Sequence, residues 1–474
     1  MDSKKVIFVL ACLTCLAFAQ VKWERIFGGS GRDQAFSVTL ARDGGYVVAG
    51  ITASFPLKCY EMYAVKTNAS GDPLWMHNFG TAFNDYCWSI APARDSGYVL
   101  LGATDSVLQT GPHDVYLIRI DEDGDSLWAR VYGDTGSGPT TNDVGRKIAP
   151  TDDGGYILIG STESYGAGSQ DMYLVKTDAA GDTQWIRTYG KSSYETGEAV
   201  DQTIDGGYIV AGSTDGSGNG QQIWILRIDR QGDTVWTRIY GGSGDENTTD
   251  IAQTPDRGFI FVGSTTSYGA GSSDLYLVKT DSAGNVDWTR TYGYQYADWG
   301  NALAITADSG YIIIGGTNPS PNPEECYAWL LKVDGNGDTT WTRMKNSAIG
   351  SANGMDVQQA ADGGFIIAAI TWETGGDDDF LLIKTDPEGL SIFEKQLDRD
   401  HALASRNPIA YPNPFVHFTT VPGHERECYQ VFNAAGRLIG DYPGNRIGRD
   451  LPGGVYFLAP RSRVHDPLRI VKIQ

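Results

Sequence analysis

The sequence predicts an all-β chain: a seven-bladed β-propeller of four-stranded blades, closed by an N-terminal strand, then a small C-terminal Ig-like β-sandwich. Three observations predict it. "SYGAGSQDMYLVKTDAAGDTQWIRTYG" at 164–190 returns almost unchanged as "SYGAGSSDLYLVKTDSAGNVDWTRTYG" at 267–293. A D-G-G-type turn recurs seven times, at Asp43, Asp95, Asp153, Asp205, Asp256, Asp308 and Asp362. A tryptophan keeps step with it, at Trp23, Trp75, Trp128, Trp185, Trp236, Trp288 and Trp341, with Phe393 in the eighth place; these are 51 to 57 residues apart. A period near 50 with four strand signals per copy is that of a propeller blade, whose faces are buried only by its neighbours.

The copy beginning at residue 198 shows the elements in order. "EAVDQTI" reads as a first strand and "DGG" as a tight hairpin, where glycine supplies positive φ. "YIVAGST" is an apolar, β-branched second strand, and "QIWILRID" a third that alternates bulky apolar with polar. "DRQGD" turns the chain into a fourth strand, "TVWTRIYGG". "WERIFGG" (23–29) has the fourth-strand pattern but precedes the first hairpin. It is expected to be the outer strand of the last blade, a closure that removes an open edge. The degenerate "SIFEKQLD" around Phe393 competes for that place.

The segments flanking the repeats read differently. Residues 1–19 form a signal peptide: Lys4 and Lys5, an apolar run from Val6 to Leu16, and an A-x-A site at Ala17–Ala19. Cys12 and Cys15 lack a lipobox. The propeller is assigned to 20–400, a linker to 401–410 and the sandwich to 411–474. No later stretch approaches the ~18 apolar residues of a membrane span. The expected location is therefore secreted or cell-surface. Cys59, Cys87, Cys326 and Cys428 form neither a disulfide framework nor a CxxC.

Net charge is −21, and −22 without the leader. The last 68 residues carry eight basic and five acidic side chains, which leaves −25 on the body between. Such a surface repels nucleic acid and anionic membranes.

Residues 236–288 resemble the SBBP-type β-propeller repeat of secreted bacterial proteins, a resemblance covering 21 to about 400. It implies the fold and leaves activity open. After Arg399, "YPNPF" (411–415), "VFNAAGR" (431–437), "GGVYF" (453–457) and a basic ending at Lys472 resemble the C-terminal sorting domain of type IX secretion cargo. That resemblance implies passage through the secretion machinery, then release or surface attachment. Small Ig-like modules outside that pathway share the arrangement.

Candidate chemistry is sparse. Asp33, Asp85, Asp143, Glu195, Glu246 and Asp298 stand ten residues before each hairpin aspartate, with Ala352 the exception. They could ring the channel mouth and hold a cation, or make an Asp–Arg or Asp–backbone contact in every blade. "DEDGD" (121–125) and "DGNGD" (334–338) look like calcium loops, but that slot needs only a glycine turn. No cofactor is expected; calcium is the one metal these acids admit.

His77 and His113 are the propeller's two histidines and each is alone in its repeat, so no Ser-His-Asp or multi-His site forms. Trp88, Trp299 and Trp372 have no repeat equivalent and lie near the loops of one face, the face of variable loops. With Tyr294, Tyr296, Tyr165 and Tyr268 they form the candidate ligand-binding set; the plain alternative is that the rings fill space at the blade tops. The expected function is non-catalytic binding or adhesion, with an extracellular glycan or protein as ligand. The alternatives are a carbohydrate-active hydrolase using two acids on the same face, and a purely structural surface protein.

Overall fold

The computed structural model describes residues 22–54, 59–105, 113–133, 141–215, 220–322, 325–347, 350–372 and 376–391, and four later strands at 428–433, 438–443, 454–460 and 468–472. The chain divides between Ser391 and Ile392 into two compact units. In the first, seven four-stranded antiparallel sheets follow one another in a closed ring. Six blades are continuous, at 33–79, 85–132, 143–189, 195–240, 246–292 and 298–345. The seventh is composite. Ser351–Gln359, Phe365–Trp372 and Asp378–Lys384 supply its inner strands, and Trp23–Phe27 its outer one. Trp23 pairs with Lys384 and Phe27 with Phe380, so the N-terminal clasp is present. Phe393 lies outside the described residues.

Burial follows strand position. The second strands are buried along nearly their whole length, and Tyr46–Thr52 and Tyr156–Thr162 along all of it. Both faces of the sheet are covered there, so the sequence is a continuous apolar run. The fourth strands alternate exposed and half-buried, because they form the outer edge. The core lies in layers between blades: Val47, Ala49 and Met62 of blade 1 pack with Ile90, Leu100 and Ile118 of blade 2.

Two devices recur around the ring. The aspartate of each D-G-G-type hairpin pairs with a buried Lys or Arg near the end of the third strand. Lys66–Asp43, Arg119–Asp95, Lys176–Asp153, Lys279–Asp256, Lys332–Asp308 and Lys384–Asp362 lie 2.7–3.0 Å apart, and Arg227 pairs with Asp205. The second device joins neighbours. The indole N–H groups of Trp23, Trp75, Trp185 and Trp236 donate to carbonyls in the next blade's third-to-fourth-strand turn. The W-x-R arginine stacks on the same indole, as Arg130 does 5.3 Å from Trp128.

In the second unit the four strands form one antiparallel sheet, ordered 438–443, 428–433, 454–460, 468–472. Tyr429 and Val431 are fully buried. One sheet is thus described where a sandwich was expected. The signal peptide, the linker and the 411–415 motif lie outside the described residues.

Candidate functional site

The first strand of each blade lines the axis: Asp33–Leu40, Asp85–Pro92, Asp143–Pro150, Glu195–Gln202, Glu246–Gln253, Asp298–Ile305 and Ser351–Gln359. Every one carries a β-bulge at the same place. A glycine opposite permits it in six blades. A Cβ on Gly50 would sit 1.8 Å from the Gln34 carbonyl oxygen, and one on Gly102 1.7 Å from that of Tyr86. A bulge inserts one unpaired residue and re-aims the strand's side chains. The inserted residues are Phe36, Trp88, Arg146, Glu198, Thr249, Asn301 and Met355. Two positions earlier stand Gln34, Tyr86, Val144, Thr196, Asn247, Trp299 and Asn353.

Because the first strands surround the axis, these positions make a ring near the variable-loop ends of the strands, here called the mouth; those of blades 3 to 5 line one groove. Trp88 lies flat against Tyr86, with centroids 5.6 Å apart and planes at 6°. The Arg146 guanidinium lies 4.9 Å from the Trp88 ring and 4.0 Å from the Glu198 carboxylate. Burial raises the Glu198 pKa against the pull of Arg146. Asn301 Nδ2 donates to the Gly354 carbonyl at 2.7 Å, and Thr249 Oγ1 to that of Gly300 at 2.9 Å. The Trp299 indole covers Gly316, where a Cβ would lie 2.3 Å from Cζ2. The large apolar residues fall on blades 6, 7, 1 and 2, and the charged pair on blades 3 and 4.

Below the mouth the channel opens into a cavity of about 500 Å³ lined by all seven first strands. Lys147 Nζ lies 3.3 Å from Asp250. Burial alone would lower the Lys147 pKa, but Asp250, Asp356 and Asp201 hold it well above the lysine range. The carboxylates serve the inner edge, whose N–H groups have no strand partner. Asp356 accepts from Val38 N–H at 2.9 Å, Asp250 from Leu303 N–H at 3.0 Å and Asp201 from Gln253 N–H at 3.3 Å. Burial pushes the Asp201 carboxyl up to about 6.

The acids that begin the first strands are buried staples. Asp33 accepts from Gly29 N–H at 2.8 Å and from Ser54 Oγ at 2.6 Å, and Glu246 accepts from Gly242 N–H and Thr265 Oγ1, each at 2.7 Å. This is the Asp–backbone contact; the W-x-R arginines lie elsewhere, on the indoles. In the calcium-like loops, Asp121 and Asp334 each accept from two N–H groups of their own turn. Among the described residues no three His, Cys, Asp or Glu side chains group as metal ligands would. Cys59, Cys87 and Cys326 are free thiols.

The structure brings Trp88 and Trp299 to the mouth, on blades 2 and 6. Tyr165 and Tyr268 sit on the second-to-third-strand loops of blades 3 and 5. Each packs on its own blade, against Tyr173 at 5.9 Å and Tyr276 at 5.8 Å. Tyr294 and Tyr296 share the loop before blade 6, with Tyr294 6.0 Å from Trp329. Trp372 ends the second strand of blade 7, paired with Ser351. The seven aromatics thus spread over the face instead of forming one cluster. Sequence reasoning missed Phe36, Arg146, Glu198, Thr249, Asn301 and Met355, which share the Trp88 position.

The fold defines the class: a closed seven-bladed β-propeller whose first strands line an axial channel. No family model matches the chain. An alignment of 183 positions, covering 33% of this chain, is 28% identical to the regulatory protein FlaEY of Caulobacter vibrioides and spans 18% of that protein. Among solved structures, a PL25 ulvan lyase aligns over 79% of this chain and 99% of its own at 9% identity, with a TM-score of 0.48. Polysaccharide lyase Uly1 aligns over 76% and 91% at 11% identity, TM-score 0.47. Sqt1 from Chaetomium thermophilum aligns over 77% and 88% at 12% identity, TM-score 0.43. None of these brings an activity to this chain.

Proposed function

We propose that the protein is an exported binding protein whose axial mouth takes a glycan. One observation carries this reading. Across near-identical repeats, the seven equivalent bulge positions hold seven different side chains. A framework role repeated sevenfold keeps one chemistry, as the hairpin aspartate and its buried cation do. A single ligand on the axis meets all seven positions at once and needs them to differ. The Trp299 indole suits the apolar face of a sugar ring, the Tyr86–Trp88–Arg146 stack walls the site beside it, and the polar arc suits its hydroxyls. The leader peptide and the resemblances to SBBP repeats and to the type IX sorting domain support export and display at the cell surface.

A glycan array followed by calorimetry on the positive glycans tests this. Trp88→Ala and Trp299→Ala should each weaken binding by about tenfold or more, which is about 1.4 kcal/mol. Melting temperatures should stay close to that of the parent. Undiminished affinity in both variants overturns the site. Capture of proteins with no glycan hit replaces the ligand class. Turnover of a polysaccharide that Glu198→Gln abolishes replaces binding with hydrolysis.

A further inference from the structure

Resting on that reading, we infer that the ligand is a neutral, linear oligosaccharide, whose chain leaves the mouth outward through a groove across blades 3 to 5. The groove has a volume of about 380 Å³ and begins at Arg146 and Glu198. From there it crosses Ser161 and Ser213 on the second strands and reaches Gln170 and Gln221 at the third. Apart from Val144 and the charged pair, its lining is hydroxyl and amide groups with the exposed ring of Tyr194. The one charged pair is internally matched at 4.0 Å.

Gln170 and Gln221 place two side-chain amides at the outer part of the groove, where they can pair with ligand hydroxyls. Neutral hydroxyl and amide groups recognise a chain of hydroxyls, whereas the −25 of the body repels a polyanion. A groove continuous with the mouth favours several sugar units in line over one terminal sugar.

The test uses the full chain and calorimetry with cello-, laminari-, manno- and malto-oligosaccharides graded in length, with polygalacturonate at low salt as the anionic probe. For the recognised series, affinity should rise about tenfold from the disaccharide to the pentasaccharide. Gln170→Ala with Tyr194→Ala should remove that rise and leave disaccharide affinity unchanged. A melting curve matching the parent's would show that the double variant is folded. Affinity independent of length, a rise that survives the double variant, or tighter binding of polygalacturonate overturns the inference. Disaccharide binding at the mouth without a gain in length defeats this inference alone; no binding in any series defeats the glycan reading as well.

Discussion

At the D-G-G hairpins the seven blades repeat one ion pair, with Lys as the cation in five and Arg in two. An aspartate pairs with a buried cation from the third strand, and in most blades it also accepts a glycine N–H from its own turn. At the bulges the same blades place Phe, Trp, Arg, Glu, Thr, Asn and Met. Both regions come from one repeat, so the contrast separates what holds the wheel together from what it presents. The hairpin device works within each blade and must be made seven times. The mouth surrounds one axis and is made once, from seven unequal parts.

The ring's closure gives the largest effect. Removing residues 20–28 deletes the outer strand of blade 7 and bares the edge of 378–384. The truncated chain should lose cooperative unfolding and aggregate, checked by calorimetry and light scattering. Trp23→Ala alone should cost about 3–5 kcal/mol, since Trp23 is 2% exposed and its indole also holds the Ala69 carbonyl. A truncated protein that melts like the parent would show that closure does not govern stability.

Next comes the contrast itself. Lys176→Met strips the partner from Asp153 and from the Thr177 carbonyl, and should cost about 1–3 kcal/mol without touching glycan affinity. Trp88→Ala should do the reverse, with a stability loss of about 1 kcal/mol or less. Urea melts beside binding isotherms check both. A mouth variant as costly as the hairpin variant would merge the two regions into one framework.

Acidity divides them as well. Burial alone would raise Asp153, Asp256 and Asp308, but their lysines, threonine hydroxyls and glycine N–H groups hold them at about 2. These folded values lie below the ordinary carboxyl of about 3.9. Their contribution is present above about pH 4 and disappears as pH falls toward 2. Asp201, at about 6 in the channel, has the opposite sign: the fold favours its protonated form. Its contribution is present below about pH 4 and is lost as pH rises through 6. Asp201→Asn should therefore flatten the fall in melting temperature between pH 5 and 7 and leave the acid limb intact. An unchanged slope in that window would remove Asp201 from the account.

Much of this frame was legible in the sequence. The D-G-G turns, the W-x-R strands and the stray "WERIFGG" repeat locally, and a period reveals whatever repeats. The mouth escaped for the same reason. Its positions share a place in the strand but no residue type, so alignment by period passes over them. Trp88 and Trp299 stood out only as tryptophans without counterparts. The available signal was backbone chemistry: a glycine within an otherwise β-branched second strand, at Gly50, Gly102, Gly160, Gly212, Gly263 and Gly315. Such a glycine marks a close approach, here the bulge opposite. Reading across to that bulge would have collected Arg146 and Glu198 along with Trp88. The buried lysines at the third-strand ends were visible as "KT" or "KV" repeats, yet their partner is fixed only when the hairpin folds back onto them.

The smallest effect tests how uniform the hairpin region is. The left-handed position of this turn is glycine at Gly44, Gly154, Gly206 and Gly363, with φ of 83–86°. In blades 5 and 6 Arg257 and Ser309 occupy it, at φ 69° and 64°. A non-glycine residue held there stores about 1–3 kcal/mol of strain, while a new glycine costs part of that back through unfolded-state entropy. Arg257→Gly and Ser309→Gly should each stabilise the protein by up to about 1 kcal/mol. The reverse change is cleanest at Gly44, where an added Cβ meets nothing within 4 Å. Gly44→Ala should lose about 1 kcal/mol from backbone conformation alone. If Gly44→Ala were neutral while Arg257→Gly stabilised, the gain would come from removing the arginine side chain, and the turn would tolerate either residue equally.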